Sequence, residues 1–376
     1  MDMTQDFSAG MLSFIDQPEF DYSAFLQTDD INFGESAQSQ LQAPSDSSGK
    51  YTPPSSTSGS GGEVAVRSSA QKQRLERKGH TKSRRGCYNC KRRRIKHEYL
   101  MHAILGFSAS ELMRNDASVI SSAMNHRIKA IRAIKKRLAE TTRTSMEYEE
   151  ANAMIATCYA LTFQSVSLED GLAEYLTFIR GIMIVGMQMM FRGIKPIFEN
   201  MMEQDQSALL EPLMQGLPLI PKGLTDSAME ALTKLKPLCT APVEVEYHQH
   251  LLNIVEKLYV NSWDAYKAYT AQYGWWMLLP HDTFQALIDP DNQVMMLLHA
   301  HWVAINEVMS PISKQERHVS EKPPRDREGK PDLDPGFARW LKHLNANLDL
   351  EHQRYNQWPM WVEKQLDDDM SFFGRI

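Results

Sequence analysis

From His97 to the C-terminus, apolar residues recur at spacings of three and four, and strand-like alternation is scarce. Ile120, Met124, Ile128, Ile131, Ile134 and Leu138 form one such series. Arg127, Lys129, Arg132, Lys135 and Lys136 lie between them, so the spacing predicts an amphipathic helix with a cationic outer face. Met154, Ile155, Cys158 and Leu161 form a second series, with Cys158 on the apolar side. Residues 294–308 are apolar nearly all round, interrupted chiefly by His299, His301 and Asn306, as a helix buried in a large core must be. Phe337, Trp340, Leu341, Leu344 and Leu348 predict a further helix. Breaks fall near Pro196, Pro212, Pro218, Pro237, Pro242, Pro280 and Pro290, and 322–335 reads as a polar Pro/Gly loop. No repeat of fixed period is present. The expected class is all-α: a large helical body, bundle-like or solenoidal, with a core that needs no metal.

The net charge of -6 hides a strong partition. Residues 1–66 carry ten acids against one base, and 67–96 carry thirteen bases against one acid. In 1–40, Phe7, Phe14, Phe20, Phe25 and Phe33 alternate with Asp16, Glu19, Asp21 and Asp29. Acidic charge keeps such a segment solvated while its aromatics stay available to a partner groove, so it reads as a disordered activation segment or as a solubilising tail. Residues 44–62 are dominated by Ser, Gly, Pro and Thr and read as a flexible linker.

Four cysteines give no disulfide framework, which points to a reducing compartment. The acidic N-terminus lacks the positive start of a secretory leader. The longest strongly apolar run, 182–191, is about half of what a bilayer requires, so no membrane span is expected. No glycine-rich phosphate loop, Gly-x-Ser-x-Gly elbow or His-Glu-x-x-His occurs, and an enzyme is not expected. Asp367, Asp368 and Asp369 read as a solvated tail.

The most specific local signal is Gly86-Cys87-Tyr88-Asn89-Cys90-Lys91-Arg92-Arg93-Arg94-Ile95-Lys96. Two thiolates at Cys-x2-Cys spacing can grip one zinc ion from one side. The five bases that follow suit a polyanion, in a nucleus DNA, and the run also reads as an import signal. This stretch resembles the opening half of the fungal zinc binuclear cluster, the six-cysteine module of a family of fungal transcription factors. Short words downstream, Tyr99-Leu100-Met101-His102-Ala103-Ile104-Leu105 and Gly274-Trp275-Trp276, are similar to the regulatory domain of sterol-uptake-type members.

The resemblance implies that Cys87 and Cys90 bind zinc, two ions being held in the whole module. It implies that Lys91, Arg92, Arg93, Arg94 and Lys96 face the major groove of double-stranded DNA. Bases at Arg93 and Arg94 would read a G·C-rich triplet, since a cationic donor can bond guanine O6 and N7 together. Arg84 and Arg85 would contact phosphates. It further implies a nuclear regulator of RNA polymerase II transcription, whose acidic tail meets the transcription machinery and whose helical domain senses a small apolar ligand such as a sterol.

The chain departs from the family at the third cysteine, where His97 stands, and no cysteine follows before Cys158. Two thiolates cannot complete two tetrahedral zinc sites. One mononuclear site could draw on Cys87, Cys90 and His97 with His80 or His102. The competing expectation is a DNA-blind interaction protein that keeps only the helical domain. Within that domain the tryptophans at 275, 276, 302, 340, 358 and 361 are expected in the core. Cys158 and Cys239 are expected to act as small buried hydrophobes, and His299 and His301 to point to different helix faces.

Overall fold

A computed structural model describes residues 96–113, 116–141, 147–197, 205–316 and 336–375. Among them every regular element is helical and no strand occurs, so the chain is all-α. The acidic tail, the 44–62 linker, the basic segment before Lys96 and the 322–335 loop lie outside the described residues.

Four long helices open the body: α1 (Glu98–Met113), α2 (Ile120–Thr141), α3 (Tyr148–Ser165) and α4 (Leu172–Phe191). Helix α1 packs on α2 and α3, and α3 packs on α4. Their shared core includes Tyr99, Ile134, Leu138, Met154, Cys158 and Ile184, as the spacing in α2 and α3 requires. Arg127 corrects the expected cationic outer face of α2. Lys129, Arg132 and Lys136 are exposed, but Arg127 is buried because α3 and α4 supply its partners.

Helix α4 serves two cores. Leu172 and Leu176 join the larger C-terminal one, while Ile182, Val185 and Met189 join the N-terminal one. Within 182–191, Ile182, Ile184, Val185, Met187 and Met189 are buried in the N-terminal core, while Met190 and Phe191 are exposed. No helix among the described residues is long and apolar enough to cross a membrane. The helix stops at Gly193, whose φ of 62° favours a residue without Cβ. Ile194 N–H donates to the Met189 carbonyl at 2.8 Å and Gly193 N–H to that of Met190 at 3.0 Å, a Schellman ending.

The larger core gathers α5 (Asp205–Gln215), α6 (Lys222–Leu235), α7 (Pro242–Leu258), α8 (Ser262–Leu278), α9 (His281–Leu287) and α10 (Gln293–Val308). The short α11 (Ser310–Ser313), then α12 (Ala338–Asn347), α13 (Leu350–Gln353) and α14 (Gln357–Asp368), complete it. Helix α10 is the central member, touching α6, α7, α11, α12, α13 and α14. Leu297, Leu298, Ala300, Trp302, Val303 and Ala304 on it are fully buried. Each large apolar side chain so buried contributes roughly 1.5–3 kcal/mol, which makes this helix the organiser of the core.

Side-chain caps set several helix starts. Asn292 Oδ1 accepts from Met295 N–H at 3.1 Å and Asn261 Oδ1 from Asp264 N–H at 2.7 Å. At α7, Pro242 opens the first turn, and Glu244 Oε2 accepts from Thr240 N–H at 2.9 Å and Ala241 N–H at 3.0 Å. Most of the expected proline breaks sit between helices or at their starts, but Pro212 lies inside α5. It is on the exposed side, where water can satisfy the carbonyl deprived of its donor, and the helix ends three residues later.

Trp276, Trp302 and Trp340 are fully buried and Trp358 is buried. Trp276 meets Trp302 edge to face at 4.9 Å, a favoured aromatic geometry. Trp275 is only half-buried and Trp361 is 37% exposed, so the expectation of a core role fails for Trp361. Helix α14 turns that ring outward against Phe372 and Phe373 instead. The acidic run is not a free tail either: Asp367 and Asp368 close α14, and Asp367 pairs with Lys342 at 3.2 Å.

Candidate functional site

Of the residues expected to touch metal or DNA, Arg84, Arg85, Cys87, Cys90, Lys91, Arg92, Arg93 and Arg94 lie outside the described residues. Lys96 is exposed and stands two residues before α1. His97 Nδ1 lies 3.0 Å from Tyr99 Oη, next to the first turn. His102 turns toward α2, and its Nδ1 is 2.9 Å from Nδ1 of His126, so one ring donates and the other accepts. Burial lowers both imidazole pKa values, His102 adding to the effect at His126. His126 was invisible as a partner because it is on another helix, 24 residues away.

The remaining cysteines do not complete a cluster. Cys158 is buried on α3, and burial pushes its thiol up to about 12. Cys239 is half-buried rather than fully enclosed; its Sγ is 3.6 Å from the Leu235 carbonyl. Burial, then Glu244, pushes that thiol up to about 11. Both stay protonated at neutral pH, the form that does not ligate metal. Among the described residues no three His, Cys, Asp or Glu side chains converge to hold a metal ion.

The described residues line a partly open cavity of about 340 Å³, within the size range of small-molecule sites. Three chain segments build it: the turn into α4, the turn between α9 and α10 with the first half of α10, and the face of α12 that carries Trp340 and Leu344. Leu172, Met296, Trp340 and Leu344 give it an apolar floor. Glu169, Asp170, Asp289 and Asp291 supply four carboxylates around it. Neither Lys nor Arg lines it.

Local chemistry fixes each wall. Gly171 precedes α4 so closely against α3 that a Cβ there would overlap the Ser165 carbonyl oxygen. This close approach holds Asp170 and Leu172 in place. Asp289 Oδ1 accepts from Asp291 N–H at 2.9 Å, which folds the α9–α10 turn. Trp340 donates its indole N–H to the Leu168 carbonyl at 3.0 Å. Phe337 stacks on its ring at 4.7 Å and Tyr175 meets it edge-on at 4.9 Å, so the floor is rigid.

His299 reaches the cavity from α10 with both nitrogens engaged. Nε2 must donate to the Leu287 carbonyl at 2.9 Å, so Nδ1 accepts from the Tyr247 hydroxyl at 3.0 Å. Burial pushes its pKa down to about 4, and the ring is neutral at pH 7. His301, two residues on, points elsewhere: Nδ1 donates to Leu297 O at 2.8 Å and the ring lies 5.8 Å from that of Trp358. The two histidines therefore occupy different faces, as their spacing requires.

The cavity thus combines a small apolar floor with four carboxylates. No protein-family model matches this chain, and no curated protein or solved structure matches it. The likeness to zinc-cluster regulators therefore rests on the residues quoted for it, and the cavity must be read from its own chemistry.

Proposed function

We propose that this chain is a DNA-binding regulator of RNA polymerase II transcription, acting in the nucleus, in which a cationic Cys-x2-Cys segment contacts DNA and the helical body holds an effector. The single observation that carries the reading is the sequence join: Cys87, Cys90 and Lys91 to Lys96 end two residues before a large all-α body begins at Glu98. In a fully folded cluster Arg93 and Arg94 would contact guanine; with Cys87 and Cys90 alone, Arg84, Arg85, Lys91, Arg92, Arg93, Arg94 and Lys96 are the candidates for phosphate contacts. The acidic segment at the N-terminus is the candidate surface for the transcription machinery.

Zinc fits this reading only in part. Cys87 and Cys90 offer two thiolates, half of one tetrahedral shell. Cys158 and Cys239 are held in the helical body as protonated thiols and add nothing. The described residues thus do not fit the pair of zinc ions of the full module, and no step is assigned to them. The same observation favours a second reading, a DNA-blind interaction protein that uses the helical body alone.

Zinc content per purified chain, measured with fluorescence anisotropy on a G·C-rich duplex and a scrambled one, separates the two. Duplex binding at low salt that is lost on neutralising Lys91 to Lys96 is the expected result. A chain without zinc that binds neither duplex at low salt would sink the DNA reading and leave the second.

A further inference from the structure

We propose that the cavity between the start of α4, the α9–α10 turn and α12 binds an organic cation, an ammonium group carried on an apolar body. Asp289 and Asp291 on the turn and Glu169 before α4 present carboxylates beside an apolar floor formed by Leu172, Trp340 and Leu344. Asp170 adds a fourth, although it also lies in the field of the buried Arg127.

The pattern selects among ligand classes. An anion is rejected, because no Lys or Arg lines the cavity and four carboxylates do. A bare metal ion is rejected, because no three ligating side chains among the described residues converge. The carboxylates are spread around the cavity rather than focused on one point, which suits a bulky, weakly hydrated cation. An uncharged apolar molecule would use the floor but would strip water from the carboxylates without replacing it, a cost to binding. A cationic head on an apolar body satisfies both parts: its head sits among the carboxylates and its body lies against the edges of Leu172 and Leu344. The carboxylates carry the recognition, since His299, the Trp340 N–H, Gln293 and Asn347 are already bonded within the protein and His343 meets Asn347.

This inference rests on the proposed function only in placing the effector of the helical body in this cavity, and it needs no DNA contact. Failure of amine binding would overturn it and leave the zinc and duplex measurements untouched, and the converse also holds. The test is titration calorimetry of the full chain with three probes of one shape: 4-phenylbutylamine, 4-phenylbutan-1-ol and 4-phenylbutyrate. The amine is expected to bind at least about tenfold more tightly than the alcohol, and the carboxylate not measurably. In the Asp289→Asn/Asp291→Asn double variant the amine should lose that advantage while the alcohol is unchanged. Both side chains are exposed and asparagine keeps the turn's acceptor, so the fold should persist. Ala173→Trp, on the half-buried wall, should block all three probes. Equal binding of amine and alcohol, no amine binding, or amine binding insensitive to either variant would each overturn the proposal.

Discussion

The guanidinium of Arg127 on α2 donates to the carboxylate of Glu174 on α4, and only 3% and 12% of the two side chains meet solvent. Arg127 also donates to the Leu161 carbonyl at 3.2 Å, to Gln164 Oε1 at 3.3 Å and to Ser165 Oγ at 2.8 Å, all on α3. Gln164 in turn donates to Ser110 on α1 at 2.9 Å, so one cation ties four helices together. Burial lowers its pKa to about 9, with Asp170 opposing, and it remains charged at pH 7. Removing one partner of such a pair strands the other. Arg127→Met and Glu174→Gln should each destabilise by about 3–5 kcal/mol. The Arg127→Met/Glu174→Leu double variant should recover much of that, as urea midpoints at pH 7 would show.

Arg180 on α4 carries the opposite expectation for the same substitution. It is 2% exposed, and its Nε and Nη1 have no hydrogen-bond partner. Burial alone lowers its pKa, to about 10, and the guanidinium lies 4.5 Å from the ring centroid of Phe284. A cation–π contact of ~2 kcal/mol does not offset the several kcal/mol of desolvation expected for a buried, unpaired ion. Arg180→Met should therefore raise stability by ~1–3 kcal/mol, in contrast to Arg127→Met. Thermal unfolding of the two variants side by side checks the sign.

Acid should weaken the fold through α10. Burial holds His299 and His301 down to about 4, against an ordinary value near 6.5. Below the unfolded value the unfolded chain takes up protons that the native state refuses. Stability is thus fully present above about pH 6.5 and falls as the pH drops toward 4, by on the order of 3 kcal/mol per ring. Glu307 opposes this, because burial pushes its carboxyl up to about 7, so acidification between 7 and its ordinary value favours the native state. Two rings outweigh one carboxyl. The urea midpoint should fall between pH 7 and pH 5, more steeply in Glu307→Gln and less steeply in His301→Leu.

What could be read in advance was what depends on local period. Residues 294–308 could only be a buried helix, because no exposed helix is apolar all round, and α10 is that helix. What could not be read depends on distant partners. Arg127 was assigned outward by residue type, yet its burial is decided by Glu174, 47 residues on. The histidine pair across α1 and α2 has the same character. The cavity draws on 169–173, 288–299 and 340–347, three segments with no common spacing. Trp340 and Leu344 were recognised as one apolar face of a helix, but nothing local showed that part of that face would line a cavity.

Gly171 should be the least tolerant position beside the cavity. A Cβ there would overlap the Ser165 carbonyl oxygen, which is backbone and cannot swing aside. Gly171→Ala should cost more than ~2 kcal/mol, through a forced shift of the turn into α4. Gly223, in the first turn of α6, has nothing within 4 Å of the same added atom. Gly223→Ala should stabilise by up to about 1 kcal/mol through helix propensity. Denaturant midpoints of the pair separate a steric effect from a general intolerance of alanine.

The cationic segment makes the most direct demand on DNA measurements. Thirteen bases against one acid in residues 67–96 bind a polyanion by releasing counterions, whether or not any base is read. If about six phosphates are engaged, duplex affinity should fall about a thousandfold between 50 and 200 mM salt. Lys91→Ala, removing a phosphate contact, should weaken G·C-rich and scrambled duplexes alike and reduce the salt slope by about one. Arg93→Ala is the discriminating variant. A guanine-reading arginine is worth ~1–3 kcal/mol on the G·C-rich duplex and nothing comparable on the scrambled one. With only Cys87 and Cys90 to organise the segment, Arg93→Ala should weaken both duplexes equally, as a phosphate contact does. A loss confined to the G·C-rich duplex would show that the two thiolates suffice to aim the arginine at base edges.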